Sequence, residues 1–281
     1  MKISTILLVF LIVFGCFACE QDVVESYTAP DNIYFNFDDA ETNDRDSITY
    51  TFAYTPEMVS DTVFLPLAVS GKRVNYDRRF KLEILTEGTS AQPQLHFEPL
   101  QDIYILQADS GKMQVPVILY NTDPALQHTT VTLNLVTVAT EDFGVALPKL
   151  NKAKIVFSNR LEKPVWWNFW EDQLANYSRT KHEMYLVVVG NIDLITNASD
   201  PEQNLQIPRN LYLIDKLRKF LADPVSWVET NTRGYALTAR ADGNYDFYNT
   251  ENPSKTYLLQ KNIADGRYYF MDENGQQVIM Y

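Results

Sequence analysis

Phe80-Lys81-Leu82-Glu83-Ile84 alternates apolar and charged side chains, residue by residue. Successive side chains of a strand point to opposite faces, so this stretch offers one face to a core and one to water. The same period of two recurs on either side of it. Upstream it runs through Ile33, Phe35 and Phe37, through Ile48, Tyr50 and Phe52, and through Val63, Leu65, Leu67 and Val69. Downstream it runs through Val115, Val117 and Leu119, then Val131, Leu133 and Leu135, then Ile155 and Phe157. Turn-prone pairs such as Ser70-Gly71 and Glu87-Gly88 separate the runs. Seven or eight short strands without a long helical pattern predict an immunoglobulin-like β-sandwich over residues 33–158. Pro66 and Pro116 lack a ladder donor, which predicts edge strands or bulges there.

The period changes after Asn159. Pro164 suits the first turn of a helix, and Trp166, Trp170, Leu174 and Tyr177 then share one helical face. Ser178 is placed to cap a segment over residues 179–189 that ends at Gly190-Asn191. That segment reads two ways: Met184, Tyr185, Val188 and Val189 suit a helix stripe, whereas its run of three valines suits a buried strand. A clearer helix follows Pro208, with Leu213, Ile214, Leu217, Phe220 and Leu221 as its stripe, and Asp223-Pro224 ends it. The last fifteen residues read as a hairpin turning at Asn274-Gly275. The chain is therefore mainly β, with a smaller, largely α-helical (α+β) domain over residues 160–281.

Both cysteines, Cys16 and Cys19, lie at the end of an apolar run that starts after Lys2. The run is too short to cross a bilayer as a helix and fits a signal peptide. Gly15 precedes Cys16 and Ala18 precedes Cys19, the pattern of a bacterial lipoprotein signal, in which cleavage falls just before an acylated cysteine. Cys19 is the favoured lipidation residue, because Glu20, Gln21 and Asp22 follow it; Cys16 is the alternative, with Val13 three positions upstream. Residues 1–18 are then the signal peptide and 19–32 a tether. One acyl chain holds only weakly, so a stable anchor needs several.

Other classes recede. With 24 basic and 36 acidic residues the formal charge is −12, which argues against nucleic-acid partners. No cysteine remains in the body for a disulfide scaffold or a zinc site. His96, His128 and His182 share no metal-ligand spacing, and no nucleophile elbow or phosphate loop occurs, so no catalytic residue, metal or cofactor is assigned. Residues 38–46 hold five carboxylates without EF-hand spacing and read as a solvated loop rather than a calcium site. Asp77 and one of the arginines Arg78 and Arg79 read as fasteners between a loop and the next strand, rather than the arginines as a grip for a sugar acid. Three of the four tryptophans fall within five residues. Packing is the main reading of this cluster, and Trp167, off the apolar stripe, is the one expected to be exposed for ligand binding.

Leu65-Pro66-Leu67, Ser70-Gly71, Asp77-Arg78 and Phe80, with Lys163-Pro164 and Trp166-Trp167, resemble the signature of a family of uncharacterised two-domain lipoproteins. Their genes accompany Sus-type, starch-utilisation-like uptake loci. The start Cys19-Glu20-Gln21-Asp22 is similar to surface-exposed lipoproteins of such loci. The resemblance implies a helix for residues 179–189 and no catalytic residues. It also implies an outer-membrane protein that is lipid-anchored and faces the cell exterior. Its role would be a non-enzymatic accessory in nutrient, chiefly glycan, capture or in assembly with Sus-type transporter components. A structural or adhesive surface subunit is the first alternative. A glycan hydrolase without a recognisable motif is the second.

Overall fold

The computed structural model describes residues 30–37, 46–231 and 234–281. Both cysteines, the expected signal peptide, most of the expected tether and nearly all of the acidic loop lie outside these residues.

Eight strands form two facing sheets. In the first, β3 (Ser60–Ser70) lies between β1 (Asn32–Phe35) and β6 (Lys112–Tyr120), all antiparallel. The second runs in the order β2 (Ser47–Thr51), β8 (Lys152–Ser158), β7 (Val131–Val138), β4 (Arg78–Ile84) and β5 (Tyr104–Leu106). Only the β2–β8 pair of this sheet is parallel. The alternation seen in the sequence is the reason the sheets face each other. Ile33, Leu65 and Val117 from the first sheet share one core with Phe80, Leu133 and Ile155 from the second. The fold is a two-sheet β-sandwich, and the polar alternates Lys81 and Glu83 pair with each other in solvent at 2.7 Å.

The two prolines part company. Pro116 lies on the edge strand β6, as expected. Pro66 does not lie on an edge: β3 is central. Its carbonyl accepts from Asn36, just past the end of β1, so the missing donor faces the point where the neighbouring strand stops. Asp77 and Arg78 do fasten loops. Asp77 accepts from the Ala108 N–H at 2.8 Å, and the buried Arg78 pairs with Asp31 at 2.8 Å beneath the ring of Phe143.

Beyond the sandwich stand six helices: α1 (Val165–Phe169), α2 (Glu171–Leu174), α3 (Arg179–Val189), α4 (Pro201–Asn204), α5 (Ile207–Ala222) and α6 (Pro224–Thr230). Helix α3 settles the two-way reading in favour of helix, and the Ser178 hydroxyl caps it by accepting from the Lys181 N–H at 3.2 Å. The expected α+β unit also holds a four-stranded antiparallel sheet that the sequence did not announce. Its order is β12 (Tyr268–Phe270), β11 (Asn252–Lys261), β10 (Tyr245–Asn249), β9 (Tyr235–Ala239). These strands are short or rich in polar residues and mostly half exposed, so their alternation is weak in the sequence. Phe220 of α5 packs on Phe247 and Phe270 of the sheet, which joins helices and strands in a second core. No helix among the described residues is long and apolar enough to cross a membrane.

Candidate functional site: a polar cleft between the two units

Ala53 and Leu161 from the sandwich side meet Leu186 of α3 in a small apolar contact. Beside it opens a cleft of about 460 Å³ whose two walls come from different units. One wall is the end of the sandwich, from the loop after β6 and from Asn159 just past β8. The other is the first turn of α3, the strand β11 and the turn at Glu273.

Asn159 is the hinge pin between the walls. Its backbone N–H donates to the Leu126 carbonyl at 2.8 Å, and its side-chain amide donates to Asn121 Oδ1 at 2.9 Å. From the other unit, the Arg179 guanidinium donates to both oxygens of Asn159, at 2.9 Å and 3.2 Å. Tyr177 adds a bond across the same seam, to the carbonyl of Leu161 at 3.2 Å.

The charged side chains lining the cleft are each held by hydrogen bonds. Glu183, with a side chain 4% exposed, accepts from Arg179 at 3.0 Å and Lys255 at 3.1 Å, and its second oxygen accepts from the Tyr257 hydroxyl at 2.8 Å. Burial pushes the Lys255 amine down, against the pull of Glu183; burial and the same carboxylate push the Tyr257 phenol far up. Glu273 reaches across to the start of α3 and accepts from the Arg179 and Thr180 N–H groups and the Thr180 hydroxyl. Burial opposes its ionisation, but these donors hold its carboxyl below the usual range. On the sandwich wall, Asp123 accepts from the Ala125 N–H at 2.9 Å and from buried His96 at 2.9 Å, which together keep it ionised. His96 Nδ1 accepts from the Gln92 N–H, so the ring proton sits on Nε2 and points at Asp123.

The tryptophan cluster is elsewhere and is packing. Trp166, Trp167 and Trp170 donate their indole N–H groups to Asp193, the Ala175 carbonyl and the Ile195 carbonyl. The expectation that Trp167 lies exposed is corrected: it is 0% exposed, stacked on Trp166 and edged by Tyr177, with no ring face open to a ligand. The predicted stripe residues Trp166, Trp170 and Leu174 are buried as expected, and Phe169, at 40%, is the exposed aromatic residue of α1. The cleft residues were missed by sequence reasoning because they are scattered from Asn121 to Glu273 and carry no fixed spacing. Among the described residues no cluster of His, Cys, Asp and Glu is arranged to hold a metal ion.

No curated protein matches the sequence. Among solved structures, the Calx CBD1 domain aligns at 10% identity and a TM-score of 0.34, over 46% of this chain and 97% of that one. A candidate carbohydrate-binding protein from Bacteroides ovatus ATCC 8483 aligns at 13% identity and 0.34, over 47% of this chain and 38% of that one. A two-domain protein of unknown function from Bacteroides fragilis NCTC 9343 aligns at 13% and 0.33, over 46% and 45%. The aligned part is thus less than half the length of the two Bacteroides proteins, and at these scores the likeness says nothing about activity. Residues 27–191 match the family described as Domain of unknown function (DUF4843), a stretch that includes the sandwich and ends just after α3. The match spans more than half of the chain, and the protein belongs to the DUF4843 family.

Proposed function

We propose that the protein is a lipoprotein of the outer membrane, anchored through Cys19, that captures a nutrient glycan at the cell exterior without transforming it. The observation that carries this reading is the cleft, whose hydrogen-bonding side chains come from both units. Its volume falls within the roughly 300–1,000 Å³ of small-molecule sites. Amides and hydroxyls such as Asn121, Gln127, Thr180 and Ser254 line it, and these are donor–acceptor groups suited to sugar hydroxyls. A binding role is supported over a hydrolytic one by the state of the carboxylates. Asp123, Glu183 and Glu273 each already accept two or three hydrogen bonds, so their oxygens are occupied rather than open to a substrate proton.

The anchor would leave the folded units outside, beside Sus-type transporter components. Incubating the purified chain with a panel of immobilised polysaccharides tests the reading. Retention on at least one is the expected result, with no turnover of chromogenic glycosides. Retention on none, or turnover, would overturn it.

A further inference from the structure

We infer that the cleft selects a neutral, hydroxyl-rich saccharide and excludes acidic ones; this rests on the capture reading above. The lining contains two cations, Arg179 and Lys255, among the described residues. Both donate to the same buried oxygen of Glu183, and Arg179 spends its other bonds on Asn159. An incoming carboxylate or sulfate would compete for these donors with Glu183, whose side chain is 4% exposed and already placed. Three carboxylates, Asp123, Glu183 and Glu273, outnumber the two cations, so the site repels anions before contact. A specific anion site needs the opposite arrangement, a guanidinium with its fork free.

What the cleft does offer are uncharged partners. Ser254 and Thr256 stand on the same exposed face of β11, and the amide of Gln127 lines the sandwich wall. A neutral sugar exchanges water for these groups with no ion to desolvate, which is the less costly transfer. Because the walls belong to different units fixed by the Arg179–Asn159 contacts, the spacing of these partners is set before the ligand arrives.

The test is isothermal titration of the full chain in detergent with neutral tetrasaccharides of glucose, mannose, galactose and xylose, and with tetragalacturonate as the acidic probe. Two variants, Ser254→Trp and Thr256→Trp, place an indole in the cleft from exposed strand positions. Their melting temperatures show that they fold. The expected result is binding of at least one neutral probe, at least tenfold weaker binding of tetragalacturonate, and at least tenfold loss of neutral binding in a folded variant. Tetragalacturonate binding as tightly as the best neutral probe would overturn the selectivity. Neutral binding untouched in both variants would overturn the cleft as the site and leave the capture reading standing. No binding by any probe would overturn both.

Discussion

Lys181 and Trp167 divide three consecutive carbonyls between them. The Lys181 amine donates to Leu174 at 2.7 Å and Asn176 at 2.6 Å, and the Trp167 indole donates to Ala175, between them, at 3.1 Å. Ala175 has φ 57°, in the left-handed region, so this turn is held in place by the two side chains rather than by its own preference. Trp167→Ala is therefore expected to cost about 3–5 kcal/mol, the range for a large aromatic removed from a core. Lys181→Met leaves the buried Leu174 carbonyl and the more exposed Asn176 carbonyl without this donor and is expected to cost about 1–3 kcal/mol. Urea unfolding of both variants checks this. A Trp167→Ala protein as stable as the parent would return Trp167 to the exposed, ligand-facing role.

His182 predicts acid sensitivity. It sits 3% exposed among Trp166, Trp167, Tyr177 and Tyr185, and burial lowers its pKa from 6.5 to about 4. The unfolded chain then binds the proton more readily than the folded one between those values. Stability from this residue is complete above pH 6.5 and is lost as pH falls towards 4, by about 3 kcal/mol in all. His182→Phe keeps an aromatic ring and removes the ionisation. Its stability should change less between pH 6.5 and 4 than that of the parent, measured by denaturant titration at each pH; parallel curves would remove His182 as the cause.

Glu183 holds the inner wall of the cleft. Glu183→Ala leaves Arg179 and Lys255 partly buried without their shared carboxylate, a loss of about 3–5 kcal/mol. Glu183→Gln keeps an acceptor for one of them and should cost less. Thermal melts of the two variants should rank in that order. Equal melting temperatures would mean that the retained acceptor contributes nothing and that the carboxylate charge alone accounts for the loss.

The anchor has its own prediction. Growth of the producing cells with tritiated palmitate should label the parent and Cys16→Ala, and Cys19→Ala should carry no label. Label that follows Cys16 instead would move the cleavage site three residues upstream.

The sandwich was legible because each strand has one wet and one dry face. Lys81 and Glu83 against Leu82 write that difference into the sequence. Helix α3 was ambiguous for the opposite reason. From Thr180 to Val188 every side chain is buried, so no polar face marks a helical period, and only the cap at Ser178 and the stop at Gly190 identify it. Strands β9 to β11 were missed because Ser254, Lys255 and Thr256 look like loop residues until Tyr257 and Leu259 find the second core. Trp167 was misjudged because α1 is covered on more than the face of its stripe, so that the neighbours Trp166 and Trp167 are both buried in the second core. The cleft was invisible because its walls meet through contacts such as that of Arg179 with Asn159, which no sequence spacing announces.

The central claim is that the cleft between the units holds a neutral glycan, and the side-chain amides of Asn121, Gln127 and Asn159 are its reporters. Two-dimensional proton–nitrogen spectra of the labelled chain, recorded during titration with the tightest-binding neutral tetrasaccharide, test it most directly. The account predicts saturable shifts of these amides, with those of the exposed loop at Asn262 unmoved. Shifts confined to other surfaces, or no shift at saturating sugar, would contradict it.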